Sequence, residues 1–307
     1  MEKWFFPPVL VGHALALGAT ISWSTLYIFA KTLAEDFSPV ELAFWRWMVA
    51  FVALYPFVHS KVWACRQAIR QHLLRLAIFS AIGMMGFTVM IFMAGRTTSA
   101  TNMALLAATA PIFIALVSRF ILKEALARQQ IVGLIIAACG VVVLVTRGNV
   151  AHVWNMNLSV GDLWMLGGAL CFGTYSVLVR FRPATIPPFE FLTVLMGLGI
   201  VWLLPGVLWH WTLVRPLFMP TAVQWLSLLH IGVTTSVIAF LMWNQAIAKI
   251  GAVRAGVVYY SLPFFSYLLA MIFLGERLSL PQVLGGVLII GGIVLSSLEA
   301  IRRAHSA

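Results

Sequence analysis

The chain has 307 residues, of which 62% are hydrophobic and only 9% are charged, and its mean hydropathy is +0.99. Because a water-soluble domain has about 25% charged residues, this composition excludes a soluble globular fold and predicts an all-α integral membrane protein. The formal net charge of +11 does not indicate nucleic-acid binding. The basic residues stand singly or in small groups at the ends of apolar runs, which is the positive-inside pattern of membrane proteins.

Ten apolar runs are long enough to predict transmembrane helices, since a spanning helix needs about 20 mainly apolar residues. In chain order they cover approximately residues 10–31, 40–58, 73–95, 98–121, 128–147, 160–179, 188–209, 223–247, 253–274 and 280–299. Most connectors are short and contain proline or glycine. The two longest breaks are 59–72 and 148–159, and the second one divides the chain into halves.

The two halves resemble each other in sequence. Residues 100–140 align with residues 252–292 at a constant offset of 152, and the amino-terminal parts of the halves align at an offset of 149. A repeat of this length predicts two copies of one structural unit. We expect these units to be residues 10–147 and 160–299, with five helices each.

The distribution of Lys and Arg predicts the orientation of the chain in the membrane. With the N-terminus inside, 14 of the 20 basic residues fall on the inner side, so both termini are expected in the cytoplasm. Five is an odd number of helices, so the halves run in opposite directions. Inverted repeats are typical of secondary transporters, whose substrate site lies between the repeats near the midplane and which work by alternating access. The expected location is a bacterial inner membrane.

Both halves carry the same series of a proline, a Leu-x-Glu corner and a glycine-containing helix. The first copy has Pro111, Leu122-Lys123-Glu124 and Gln130-x-x-Gly133, and the second has Pro263, Leu274-Gly275-Glu276-Arg277 and Gln282-x-x-Gly285. On these motifs the sequence resembles the drug/metabolite transporter superfamily, in its EamA-type ten-helix branch. Lys123 departs from the glycine that is usual at this corner, so the first copy matches less well. The resemblance covers both halves.

This resemblance implies a bundle in which helices 1, 3, 4, 6, 8 and 9 surround a central cavity, while helices 5 and 10 are peripheral. Within the superfamily the overall pattern is most similar to the amino-acid exporters, in particular those for aromatic amino acids. The implied function is export of small neutral or zwitterionic metabolites. Coupling to protons, facilitated efflux and exchange all stay open, as does a drug, nucleoside or sugar derivative as substrate.

Fourteen residues are candidates for lining this cavity, because they bring aromatic, polar or sulfur groups or a broken backbone to the cavity helices. They are Trp23, Thr25, Met84, Phe87, Asn102, Thr109, Pro111, Tyr175, His230, Thr234, Trp243, Tyr259, Tyr260 and Pro263. A proline frees the carbonyl four residues back, so the two prolines offer carbonyls at Ala107 and Tyr259 to a substrate ammonium group. Trp23 lies deep in its helix, where the indole N–H needs an acceptor. Helix packing is the alternative role for each candidate.

Ionisable side chains are scarce inside the predicted spans. All nine acidic residues lie near span ends, so no carboxylate is available at the midplane for proton coupling. Glu41 and Glu190 fall in first turns, where we expect them to cap their helices. His230, about seven residues inside its span, is the best titratable candidate. Arg46 is close enough to the end of its span for the guanidinium to reach the interface, and without a mid-span cation a phosphorylated substrate is disfavoured.

The sequence gives little support for an enzyme. The spans contain no G-x-S-x-G, H-E-x-x-H or carboxylate pair, so a membrane-embedded enzyme is the weaker alternative. The three cysteines form no C-x-x-C pair, and we expect neither a metal nor another cofactor. The expected partners are a small-molecule substrate and the lipid bilayer, and a monomer is one expected state.

Overall fold

A computed structural model describes residues 7–98, 100–123, 126–146, 159–274 and 280–305. Within these ranges the chain is helical and contains no β-strand, which confirms the predicted all-α class. We number ten helical segments in chain order. They are α1 (Pro8–Leu33), α2 (Pro39–Ala64), α3 (Leu73–Thr97), α4 (Ala100–Ala107 and Ala110–Val117), α5 (Arg128–Thr146), α6 (Val160–Phe181), α7 (Pro188–Leu213), α8 (Ala222–Ile250), α9 (Ala252–Tyr259 and Leu262–Leu274) and α10 (Leu280–His305).

Seven helices of the described chain are long and apolar enough to cross a membrane, namely α1 to α3, α6 to α8 and Met103–Leu122, which includes most of α4. The apolar stretches Arg128–Val143 in α5 and Val283–Ser296 in α10 are shorter, and α9 is divided in two. The count of ten spans therefore stays a prediction. The break expected at residues 59–72 is mostly helical, because α2 continues to Ala64 and a short helix, Arg66–Gln71, follows it.

Five of the helices are interrupted near their middle. The turns of α1 break at Thr25, α3 is π-helical over Ala81–Gly86, and α8 is π-helical over His230–Ile238. The breaks in α4 and α9 follow Ala107 and Tyr259, which are 152 residues apart. The breaks in α4 and α9 therefore occupy equivalent positions in the two halves, as the repeat predicts.

The two repeated prolines differ in one respect from the expected kinks. Pro111 lies in the first turn of Ala110–Val117, and Pro263 is the second residue of Leu262–Leu274. Each proline therefore begins a new helical segment and does not bend a continuous helix. The first turn tolerates proline because its backbone N–H groups have no partner within the helix.

The main contacts between helices join one half of the chain to the other. Helix α1 packs on α8 and α9, α2 on α7, α3 on α6, α4 on α6 and α9, and α5 on α10. A twofold relation between α1–α5 and α6–α10 explains these contacts. It exchanges α1 with α6 and α8 with α3, so the contact between α1 and α8 is equivalent to the contact between α6 and α3. The folded chain is thus one interleaved bundle whose centre is built by both halves.

Glycines bring α5 and α10 into backbone contact. A Cβ built on Gly292 would lie 2.5 Å from the Gly133 carbonyl oxygen, and one built on Gly140 would lie 2.7 Å from the Gly285 carbonyl oxygen. Small residues allow membrane helices to approach this closely. Gly133 and Gly285 are equivalent in the repeat, and so are Gly140 and Gly292, so the contact itself is symmetric.

The Leu-x-Glu corners are only partly described, since Glu124 and Glu276 lie outside the described residues. At the first corner Lys123 has a left-handed backbone with φ 54° and ψ 21°. Glycine adopts this conformation without the steric cost that a side chain brings, which gives a physical reason for glycine being usual at this corner.

The predicted cap at the start of α2 is confirmed. The Ser38 amide donates to Glu41 Oε2 at 3.0 Å, and the Glu41 amide donates to Ser38 Oγ at 3.3 Å. Glu41 also accepts from the indole of Trp211 at 2.6 Å, which joins α2 to α7. Glu190 also lies in the first turn of its helix, as predicted, but no capping box forms there. The residue preceding that helix is Pro187, which has no N–H to donate.

Candidate functional site

Aromatic side chains from both halves pack together at the centre of the bundle. The Trp23 ring lies 5.2 Å from Phe172, 5.4 Å from Phe240, 5.4 Å from Trp243 and 5.9 Å from Tyr259, measured between centroids. All five side chains are at most 2% exposed. We call these five residues the aromatic cluster. They come from α1, α6, α8 and α9, four of the helices that were expected to surround the cavity.

The polar edges of the aromatic cluster are hydrogen-bonded, as buried indole and phenol groups require. Trp23 Nε1 donates to the Thr235 carbonyl at 2.8 Å, within the π-helical part of α8. The hydroxyl groups of Tyr259 and Tyr27 are 3.2 Å apart. Both bonds connect α1 to helices of the other half, so a relative movement of the halves must break or rearrange them.

A cavity of about 790 Å³ lies at the end of the bundle where α6 connects to α7 and α8 connects to α9. We call it the vestibule. Four basic residues line it, Arg180, Arg182, Lys249 and Arg254, and no carboxylate does so among the described lining residues. The described lining of the vestibule is therefore basic, and basic side chains favour anionic groups.

Asn244 connects the vestibule to the aromatic cluster. Its side chain lines the vestibule, and its amide donates to the Tyr175 hydroxyl at 3.0 Å. The Tyr175 ring in turn lies 5.6 Å from Phe240 of the cluster. A molecule in the vestibule is thus one side-chain layer away from the centre of the bundle.

The break in α1 is joined to the π-helical part of α8. Thr25 Oγ1 and His230 Nε2 are 2.8 Å apart, and the Phe29 ring lies 4.7 Å from the imidazole. His230 is therefore a hydrogen-bonded histidine, only half-buried. Thr234 follows one turn later and is also half-buried.

The structure brings several of the fourteen predicted cavity residues together. Trp23, Trp243 and Tyr259 belong to the aromatic cluster, and Phe87 contacts it through Phe172, with 5.2 Å between the ring centroids. Tyr175 adjoins it, as described above. None of the described candidates lines the vestibule. Their role as cavity residues stays a prediction.

Other candidates lie elsewhere. Met84 packs against Gly199 of α7, and Tyr260 belongs to a separate buried group with residues of α5 and α10. Thr109 Oγ1 donates to the Leu106 carbonyl at 2.6 Å, at the break in α4. Pro111 and Pro263 are buried. The side chain of Asn102 lies outside the described residues.

Arg46 differs most from its expected position. Its side chain is 0% exposed, so the prediction that it reaches the interface was wrong. Nε donates to Ser236 Oγ at 2.7 Å, and Nη2 donates to the Thr235 carbonyl at 3.3 Å. The reason is that this face of α2 packs on α8, which closes the path to the membrane surface. Phe172, Phe240 and Tyr27 were also missed, because an aromatic residue in an apolar helix gives no sequence signal of its own.

The sequence profile of the EamA-like transporter family matches residues 10–146 and 159–298. The "Uncharacterized transporter YyaM" of Bacillus subtilis (strain 168) is 28% identical over 94% of this chain and 92% of its own length. The "Probable terminal-alkyne amino-acid exporter" of Streptantibioticus cattleyicolor is 25% identical over 94% of this chain and 93% of its own. A solved crystal structure superimposes with a TM-score of 0.73 at 22% identity, covering 95% of this chain and 98% of that chain, which is evidence for the fold alone.

Two copies of the family profile thus cover nearly the whole chain and are separated by the linker that divides the repeats. The resemblance to the EamA branch of the drug/metabolite transporter superfamily is confirmed. The chain therefore belongs to the EamA-like transporter family and is an integral membrane transporter, not an enzyme.

Proposed function

We propose that this protein exports small neutral or zwitterionic metabolites by alternating access. Amino acids are the favoured substrates, and aromatic amino acids are favoured among them. The observation that carries the proposal is the aromatic cluster, which both halves build and which has hydrogen-bonding groups at its edges. Rings offer stacking surfaces to an apolar or aromatic side chain. Hydroxyl, amide and carbonyl groups match the ammonium and carboxylate of an amino acid.

One relative supports this substrate class, since its name describes a probable exporter of a terminal-alkyne amino acid. At 25% identity the substrate of one carrier does not identify the substrate of another. The likeness therefore supports only the amino-acid class. The choice of aromatic amino acids depends on the cluster and on the resemblance drawn from the sequence.

The proposed mechanism is a relative rocking of the halves 10–147 and 160–299. In the present arrangement the vestibule is open to one end of the bundle, and the aromatic cluster with Asn244 and Tyr175 closes the passage beyond it. Rocking would separate the cross-half bonds made by Trp23 and Tyr27 and admit the substrate between the rings. The broken segments of α4 and α9 allow local rotation, since a helix break removes part of the backbone ladder.

Flux in proteoliposomes tests this function. We expect uptake or counterflow of radiolabelled L-phenylalanine that saturates with concentration and is competed by other amino acids, but not by nucleosides, organic cations or phosphorylated sugars. Liposomes without protein provide the background. Competition by phosphorylated sugars, nucleosides or organic cations alone would contradict the amino-acid proposal, while flux that does not saturate would contradict a carrier.

We further propose that both termini face the cytoplasm of a bacterial inner membrane, so that the basic vestibule is the cytoplasmic entrance. The support is the inner position of 14 of the 20 Lys and Arg residues. Alkaline phosphatase fused after residue 305 is expected to be inactive, and the same enzyme fused in the 148–159 linker is expected to be active. The opposite result at the C-terminus would reverse the direction of transport that we assign.

A further inference from the structure

Arg46 is a buried cation without a buried counter-charge. Its side chain is 0% exposed, and no Asp or Glu of the described chain forms an ion pair with it. The guanidinium lies over the Trp47 ring, with Cζ 5.1 Å from the ring centroid, and Nη1 has no hydrogen-bond partner within the described residues. A buried charge without a partner is strongly unfavourable, so the position calls for an explanation.

A packing role accounts for only part of these contacts. The bonds to Ser236 Oγ and to the Thr235 carbonyl connect α2 to α8, but neutral donors could make the same bonds at a lower desolvation cost. Replacing buried ionic groups by apolar residues of similar volume is often neutral or stabilising. Ionisable groups inside membrane helices are expensive for the same reason and mark functional sites.

The position of Arg46 relative to the aromatic cluster indicates the role of this buried cation. The Thr235 carbonyl accepts from Arg46 Nη2 and also from Trp23 Nε1. The guanidinium and the central ring of the cluster therefore meet at one backbone oxygen. The spare N–H groups of Nη1 belong to a planar fork that suits a carboxylate.

The basic lining of the vestibule agrees with a carboxylate on the substrate. Its described lining contains Arg180, Arg182, Lys249 and Arg254 and lacks acidic residues. A molecule that enters from this end meets basic side chains first and Arg46 deeper in the bundle, an order that agrees with an anionic group on the substrate.

We infer that Arg46 binds the carboxylate of the transported molecule, so that the substrate is a carboxylate-bearing metabolite and supplies the missing counter-charge. This inference rests on the proposed function and narrows it, because neutral compounds without a carboxylate are then poor substrates. It also revises the argument that the spans lack a deep cation. The Arg46 bond to Thr235 loosens when substrate enters, and the guanidinium exchanges this carbonyl for the carboxylate.

Competition in proteoliposomes containing wild-type protein tests the inference without any mutation. L-phenylalanine, L-leucine and L-threonine are each compared with the corresponding amide, which keeps the side chain and the ammonium group but lacks the carboxylate. We expect each amide to compete at least tenfold more weakly than its acid. Equal competition by acids and amides would overturn the inference.

Variants then assign the effect to Arg46. In Arg46→Gln the acid is expected to lose at least tenfold in apparent affinity while the amide changes little, and Arg46→Lys should restore part of the preference. Arg66→Gln, at an exposed arginine of the short helix after α2, is the control and should behave as wild type. An unchanged acid-to-amide ratio in a folded Arg46→Gln protein would overturn the assignment.

The two proposals fail in different ways. Transport of a carboxylate that is not an amino acid, lost in Arg46→Gln, contradicts the amino-acid proposal but supports carboxylate binding by Arg46, whereas transport of a phosphate that has no carboxylate contradicts both. Transport of a nucleoside or an organic cation contradicts both proposals. If Arg46→Gln does not fold, the acid and amide comparison on the wild-type protein tests the need for a carboxylate, and Arg46→Lys tests the assignment: we expect a smaller acid-to-amide ratio than in wild type, and an unchanged ratio would overturn it.

Discussion

Replacing Trp23 by alanine is expected to abolish transport and to destabilise the protein strongly. The substitution removes the ring that contacts the four other members of the aromatic cluster and leaves a buried void. Truncation of a buried tryptophan costs about 3–5 kcal/mol in folding free energy. It also removes the donor to the Thr235 carbonyl. The measurements are Tm in detergent and saturable flux in proteoliposomes.

Two further variants separate stability from transport at this position. Trp23→Phe keeps most ring contacts but has no indole N–H, so we expect a smaller loss of Tm and a larger relative loss of flux. Trp209→Ala is the control, because that tryptophan is 59% exposed on α7 and its loss creates no internal void. Wild-type flux and Tm in Trp23→Ala would contradict a central role for the cluster.

The second large effect is expected at the glycine contact between α5 and α10. In Gly292→Leu the side chain would overlap the Gly133 carbonyl and the Ala137 amide, since a Cβ alone would approach these atoms to 2.5 and 2.7 Å. Backbone atoms cannot move aside as the end of a flexible side chain can. The two helices must separate, and we expect a fall in Tm of many degrees or a loss of folded protein.

Gly291→Leu is the matched control for this variant. It places the same side chain one residue earlier on the same helix, where a Cβ would have no neighbour within 4 Å. We expect it to fold and to transport as wild type. Equal Tm values for the two variants would contradict close backbone packing of α5 on α10. Because no residue of α5 or α10 belongs to the aromatic cluster, the acid-to-amide preference of any folded Gly292 variant should stay unchanged.

Much of the fold was predictable because it depends on averages over many residues. The mean hydropathy of each run placed the helices to within a few residues over most of the described chain, and the offset of 152 predicted that α4 and α9 are interrupted at equivalent points. The family resemblance followed from the same repeat. The helical continuation of α2 through residues 59–64 was not predictable from apolarity, since this part begins with the polar residues His59, Ser60 and Lys61.

The candidate site was predictable only in part, because it depends on the direction of single side chains. Tyr259 and Tyr260 were both chosen from one stretch of sequence. The first segment of α9 ends at Tyr259, and the two adjacent side chains point in different directions. Tyr259 joins the aromatic cluster, while Tyr260 packs toward α5 and α10. Met84 likewise lies on a predicted cavity helix but faces α7.

The sequence by itself thus determined that this is a membrane protein, and it determined the helices, the repeat and the family. Each of these depends on composition or on long-range periodicity. Only the tertiary structure decided which faces of the helices meet, and therefore that Arg46 is buried against α8 and not at the membrane surface. The physical reason is that the environment of a side chain is set by the neighbouring helix. That neighbour is far away in sequence, and the spacing along one helix contains no information about it.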